Sequence, residues 1–257
     1  MQFSLYIIKF LIYIYMIFSY LLVQGCNNCP YDGIPQLKAS VTSLKLNLPN
    51  CKIYIYYGYD ESSKDKLTEI EAFISSKNLI GVNIGHLKHN FPIIENKKIA
   101  SSIKNPYRLN ILIEKIYILL NHDEKEEVMF VDLDTVFNSN IKNFQVSKNE
   151  PVVYSKEKPL LSQRGLENFF KQLNYPVKSD CNMYNTGFIY IPAEKRKAIA
   201  REALDLLFKM NTISDTQRVA KDLDEQISLS IIIHKYYGKI RFIQKCLKHN
   251  MGQHIIR

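Results

Sequence analysis

Tryptophan is absent from this chain, and glycine and proline are scarce, with nine of each in 257 residues. That scarcity excludes collagen-like and low-complexity classes, which are built on those residues. No unit recurs at the roughly 20- to 50-residue spacing of solenoids and propellers. Cysteine is also sparse, at Cys26, Cys29, Cys51, Cys181 and Cys246. Only Cys26-Asn-Asn-Cys29 has the spacing of a ligand pair, whereas a structural zinc site usually needs two such pairs. The pair also falls outside any βαβ pattern, which argues against thioredoxin-like redox chemistry. An odd count leaves at least one thiol without a disulfide partner. Acidic residues are outnumbered, 25 Asp and Glu against 34 Lys and Arg, for a formal charge of +9. The lysines are spread along the chain with no aromatic-interleaved cluster, so the excess gives no nucleic-acid signature. It favours anionic ligands only through long-range steering.

What is present begins with an apolar run, FSLYIIKFLIYIYMIFSYLLV from Phe3 to Val23, broken by Lys9 alone. Counted from Phe10 the run suits a signal-peptide core, and counted from Phe3 it suits a bilayer span with Lys9 at the interface. Val23 and Gly25 have the small-residue spacing of a cleavage before Cys26, and LVQGC is a loose lipobox. A buried core helix is the alternative, disfavoured by the all-round hydrophobicity. Residues 1–25 are therefore expected to be a signal peptide or signal anchor in a membrane-associated or secreted protein. Residues 26–50, with their turn formers, are expected to be a stalk, and 51–257 the catalytic domain.

From Cys51 onward strand and helix patterns alternate. CKIYIYYG, LIGVNIG, VMFVD, PVVYS, TGFIYIP and KIRFI read as strands. Between them SSKDKLTEIEAFISSKN, NPYRLNILIEKIYILLNHD, PAEKRKAIAREALDLLFKM and DLDEQISLSIIIHKYY carry apolar residues at helical spacing. Alternation of this kind implies an α/β fold, an open and mostly parallel sheet with helices on both faces. Ligands in such sheets bind at the carboxyl ends of the strands. Asp132 and Asp134 stand there, directly after the apolar VMFV. Unpaired carboxylates at a strand end are costly to desolvate, and two pointing the same way from an extended segment could hold a hard cation. Asp132 as a turn cap and Asp134 as a solvated side chain is the plainer alternative.

Two families share this local pattern. Haloacid-dehalogenase-type phosphatases also carry a strand ending in Asp-x-Asp-x-Thr, and Asp132-Leu-Asp134-Thr135 resembles it. Those enzymes use the first Asp as nucleophile and need a later acidic pair at a strand end. Here Asp222, Asp224 and Glu225 lie in a helical pattern. The fuller resemblance is to family 8 glycosyltransferases, the glycogenin and lipopolysaccharide glucosyl- and galactosyltransferase group. It rests on Lys115 before the Asp132/Asp134 pair, on Asn140-Ile141-Lys142-Asn143-Phe144 after it, on YNTGFIYIP, on DEQISLS and on KHNMG. It spans residues 51–257, and departs from the family in lacking Lys-Pro-Trp after KHNMG and in carrying Glu225 where Asp is usual.

This resemblance implies a GT-A fold and a retaining transfer from a nucleotide-diphospho-sugar, a UDP-sugar by family habit, to a glycan, lipid or protein acceptor. It implies Mn²⁺ or Mg²⁺ held by Asp132, Asp134 and His249. Asn185, Asp224, Glu225 and Gln226 would face the donor sugar, with Gly187 allowing close backbone approach. Lys115 would hold the Asp132 and Asp134 carboxylates or the diphosphate, and Arg108, Lys248, Gly252 and His254 are further candidates for the diphosphate. Tyr57 and Asp60, expected just after the first strand, would meet the base or ribose. Each has a plainer alternative: a surface or capping role for His249, an exposed His254, a helix-surface Lys115, a solvated helix start at Asp224–Gln226, a polar loop at Tyr57 and Asp60. A non-catalytic envelope protein that keeps the fold as a binding module is the third functional alternative.

Overall fold

The computed structural model describes residues 16–24, 33–59, 65–86, 106–163, 165–211 and 224–248, and element labels below count these alone. A seven-stranded sheet runs in the order β3 (Ile80–His86), β2 (Lys52–Tyr59), β1 (Met16–Gln24), β4 (Glu127–Val131), β7 (Asn182–Tyr190), β6 (Val152–Pro159), β8 (Arg241–Phe242). Neighbours are parallel except at β7, which is antiparallel to both β4 and β6. A two-stranded ladder, β5 (Val136–Phe137) with β9 (Leu247–Lys248), stands apart from this sheet.

The centre of the sheet corrects the expectation for the N-terminus. Met16–Gln24, assigned from sequence to a signal peptide or anchor, is β1, between β2 and β4 in parallel register with both. Met16, Phe18, Tyr20 and Leu22 pack on one face and Leu21 on the other. A parallel strand covered on both faces is apolar at nearly every position, so its pattern coincides with that of a membrane segment. No helix among the described residues is long and apolar enough to cross a membrane. The stalk expected over 26–50 is corrected as well. Gly33–Asn47 forms α1, with Ile34, Leu37, Val41 and Leu44 buried at helical spacing. The domain therefore does not begin at residue 51.

Helices cover both faces, as the alternation predicted. On one side α1 and α2 (Asp65–Ser76) bury Ile70, Phe73 and Ile74 with the even-numbered residues of β1. On the other, α3 (Pro106–Asn121), α4 (Leu166–Gln172), α5 (Ala193–Asn211) and α6 (Asp224–Tyr236) pack on Leu21, Phe130 and Ile189. The amino end of β4 is held by Arg196 of α5, whose side chain is fully buried. Its guanidinium donates to the carbonyls of Leu119, His122 and Asp123 at 2.9, 3.3 and 2.6 Å, and to that of Glu126. One planar fork thus gathers the carbonyls of the turn from α3 into β4, where Asp123 O also accepts from Glu126 N–H at 3.0 Å.

Candidate active site

The sheet changes direction of growth at β1: β2 and β3 add on one side and β4 on the other. Such a switch point opens a crevice at the strands' carboxyl ends. Asp132 is the first residue past β4, and its N–H donates to Gly187 O of β7 at 2.8 Å, continuing the β4–β7 ladder. The chain then turns rather than running on extended, with Thr135 N–H donating to Asp132 O at 3.2 Å. The expectation that Asp132 and Asp134 share an extended segment is corrected to this tight turn. Both carboxylates remain partly solvent-accessible at the crevice.

Lys115 of α3 reaches into the same place. Its ammonium lies 3.0 Å from Asp132 Oδ1 and 3.0 Å from Glu225 Oε1, and donates to Thr186 Oγ1 at 3.4 Å. The ring of Phe130 lies beneath it, with its centroid 5.0 Å away. Burial opposes a charge on this lysine, but Asp132 and Glu225 outweigh it and hold the pKa above the ordinary lysine value. The helix-surface alternative for Lys115 is therefore excluded: only 10% of its side chain is exposed. Asp224, Glu225 and Gln226 open α6 and are buried, so the solvated-start alternative falls too. Because Asp224 and Glu225 begin a helix, they do not supply the strand-end acidic pair a haloacid-dehalogenase site needs.

Strand β7 brings a further set. Asn185 is buried, and its Oδ1 accepts from Gly187 N at 2.9 Å, fixing the local bend where the β6–β7 register slips. Thr186 points to the opposite face and donates to Glu225 Oε1 at 2.8 Å. Helix α6 is stitched to β7 again farther along, where Tyr184 N donates to Ser230 Oγ at 2.9 Å. Thr186 was not singled out in the sequence; only its place inside YNTG could have drawn attention.

Strand β9 is delivered beside the acidic turn. Val136 pairs with Lys248 and Phe137 with Leu247. Asn138 and Asn140 lock this arrangement, both side-chain amides donating to Lys245 O, at 3.0 and 2.9 Å. The Asn-Ile-Lys-Asn-Phe segment thus has a structural meaning: Asn140 clamps the terminal turn while Ile141 and Phe144 are buried. Lys248 is exposed. His249, Gly252 and His254 lie outside the described residues, as does Asp60. Arg108 belongs to α3, and its side chain is likewise outside them. Tyr57 is corrected from a post-strand residue to a member of β2. Its hydroxyl donates to Glu71 Oε1 at 3.3 Å. Its ring lies so close to Gly81 that a Cβ there would sit 3.2 Å from it, which places the ring in the layer between β2 and α2.

The sequence matches no protein-family model and no curated protein. Its fold does have solved counterparts. The galactosyltransferase LgtC, determined with donor and acceptor sugar analogues, aligns with a TM-score of 0.51 at 12% identity, over 87% of this chain and 72% of that one. Mouse xyloside xylosyltransferase 1 aligns with a TM-score of 0.50 at 12% identity, over 89% and 85% respectively. The PaToxG glycosyltransferase gives 0.50 and 12%, over 85% and 68%. At these identities the likeness is one of architecture. The fold is the GT-A glycosyltransferase fold, with a mostly parallel sheet and helices on both faces.

Proposed function

We propose that this chain is a metal-dependent glycosyltransferase that moves a hexose from a nucleotide-diphospho-sugar, UDP-linked by family resemblance, to a glycan, lipid or protein acceptor. One observation carries the reading. Asp132 and Asp134 stand at the switch-point crevice of a GT-A fold, with Asp132 joined through Lys115 to Glu225 at the buried start of α6. Retention of anomeric configuration follows from the resemblance alone.

The donor set suits a hard divalent cation in part. Among the described residues no group of three or more His, Cys, Asp or Glu is arranged to hold one. Two carboxylates nevertheless fit Mg²⁺ or Mn²⁺, which complete their shells with substrate phosphate oxygens and water. His249, the residue after Lys248, is the proposed third ligand, and an imidazole there favours Mn²⁺. When bound, the ion would supply Lewis-acid stabilisation of the departing diphosphate. Lys115 adds a fixed positive charge beside the leaving group without reorganising during the reaction. Asn185, Glu225 and Gln226 would orient the sugar, while Arg108, Lys248 and His254 would contact phosphate.

The test is a panel of nucleotide sugars assayed for nucleoside diphosphate release with and without Mn²⁺. Metal-dependent release that Asp132→Asn removes is the expected result. Silence on every donor, or phosphate release from a simple phosphomonoester through a phosphorylated Asp132, would sink the proposal.

A further inference from the structure

Lys115 has three N–H donors, and the structure gives each a partner: Asp132 and Glu225 at 3.0 Å, and Thr186 Oγ1 at 3.4 Å. Thr186 in turn spends its own proton on Glu225 Oε1 at 2.8 Å, so its lone pairs are left for the ammonium. The hydroxyl is 1% exposed as a residue and sits mid-strand in β7, which makes it the fixed point of the group. Lys115, by contrast, reaches the group on a long flexible stem. Two carboxylates compete for that ammonium, and either alone could capture it.

We propose that Thr186 is a positioning residue. By donating to Glu225 Oε1 and accepting from Lys115, it keeps the ammonium shared between Glu225 and Asp132. Without the hydroxyl, Glu225 Oε1 loses its neutral donor and draws Lys115 toward itself. The Lys115 ammonium then leaves Asp132, and that positive charge moves away from the acidic turn. The consequence for turnover rests on the glycosyltransferase reading, whereas the consequence for Lys115 does not.

Thr186→Val and Thr186→Ser separate the hydroxyl from packing. Valine keeps the volume and loses the hydroxyl, while serine keeps the hydroxyl and loses a methyl. Positioning predicts that Ser retains turnover within about threefold while Val falls by on the order of ten- to a hundredfold, the cost of misplacing a reacting group by about an ångström. A packing role predicts the reverse order, and Val equal to or better than Ser would overturn the proposal. Crystal structures of both variants supply the second readout: Lys115 should withdraw from Asp132 past salt-bridge distance in Val and stay in place in Ser. An unmoved Lys115 in the Val variant overturns the proposal. If the wild type turns over no donor, the functional reading falls and this distance still decides the role of Thr186.

Discussion

Deleting residues 1–25 should unfold this protein, although the sequence alone reads them as dispensable. The deletion removes β1 from between β2 and β4, breaking a register that runs from Ile17↔Lys52 to Gln24↔Tyr59 on one side and from Met16↔Glu127 to Tyr20↔Val131 on the other. It also strips Met16, Ile17, Phe18, Tyr20, Leu21 and Leu22 from the core, all less than a tenth exposed. At about 1.5–3 kcal/mol for each fully buried apolar side chain, those six contribute roughly 9–18 kcal/mol. A typical domain has a net stability of only about 5–15 kcal/mol, so no reserve survives the loss.

A point variant makes the same case in the intact chain. Leu22→Asp places an unpaired carboxylate at a fully buried position, while Leu46→Asp does so at one 75% exposed. The first should abolish cooperative urea unfolding, and the second should leave it unchanged to within about 0.5 kcal/mol. A milder probe, Phe18→Ala, should cost about 3–5 kcal/mol. Circular dichroism and size-exclusion chromatography of the 26–257 fragment give the direct check. If that fragment were monodisperse and unfolded with the full chain's midpoint, β1 would not be the centre of the native sheet and the reasoning would fail.

Three further outcomes are expected. Arg196→Met keeps the aliphatic stem but takes the guanidinium from the carbonyls of Leu119, His122 and Glu126, while Asp123 O keeps the Glu126 N–H as its donor; at about 1–3 kcal/mol for each group left unsatisfied, urea denaturation should show a loss of at least about 3 kcal/mol. Burial alone pushes the Glu114 carboxyl up to about 7, so the native state binds more protons than the unfolded chain between the ordinary glutamate value of 4.5 and that figure. Stability should therefore be full below pH 4.5 with respect to this group and fall as pH rises to about 7, by on the order of 3 kcal/mol, and Glu114→Gln should flatten that slope in urea titrations. Asp134→Asn should abolish donor turnover while leaving the thermal midpoint within about 2 °C of wild type, since the side chain is partly exposed at the turn.

The alternating pattern from Cys51 onward carried the fold class because each unit showed its own period. VMFV is buried throughout as β4, and Ile70, Phe73 and Ile74 lie inward on α2. The first strand failed for a physical reason: burial on both faces erases the period that would distinguish a strand from a span. Helix α1 was legible at Ile34, Leu37, Val41 and Leu44 but was masked by the turn formers preceding it. At the site, a contact of Lys115 with the acidic pair was legible, and it is seen at Asp132, yet the link from Lys115 on to Glu225 was not. Lys115 and Glu225 meet across α3 and α6 only because both helices cover the same face of the sheet. Arg196 was invisible altogether, since an arginine in a lysine-rich helix reads as solvated unless the carbonyls it serves are in view.

The antiparallel strand explains why so much of the site comes from one segment. A parallel strand offers the crevice only its last residue and the loop beyond, as β4 does with Asp132. Strand β7 enters the sheet from the carboxyl side, and its pairing with β4 starts only at Phe188, opposite Val131. Asn182 to Asn185 therefore overhang β4, paired with Ser155 to Pro159 of β6. Alternation then sends Asn185 to one face and Thr186 to the other, while Gly187 O holds the N–H of Asp132. Neighbouring residues of a single strand thus fix the acidic turn through the backbone and the start of α6 through a side chain. The separation between Asp132 and Glu225 is set by strand geometry, and Lys115 spans it.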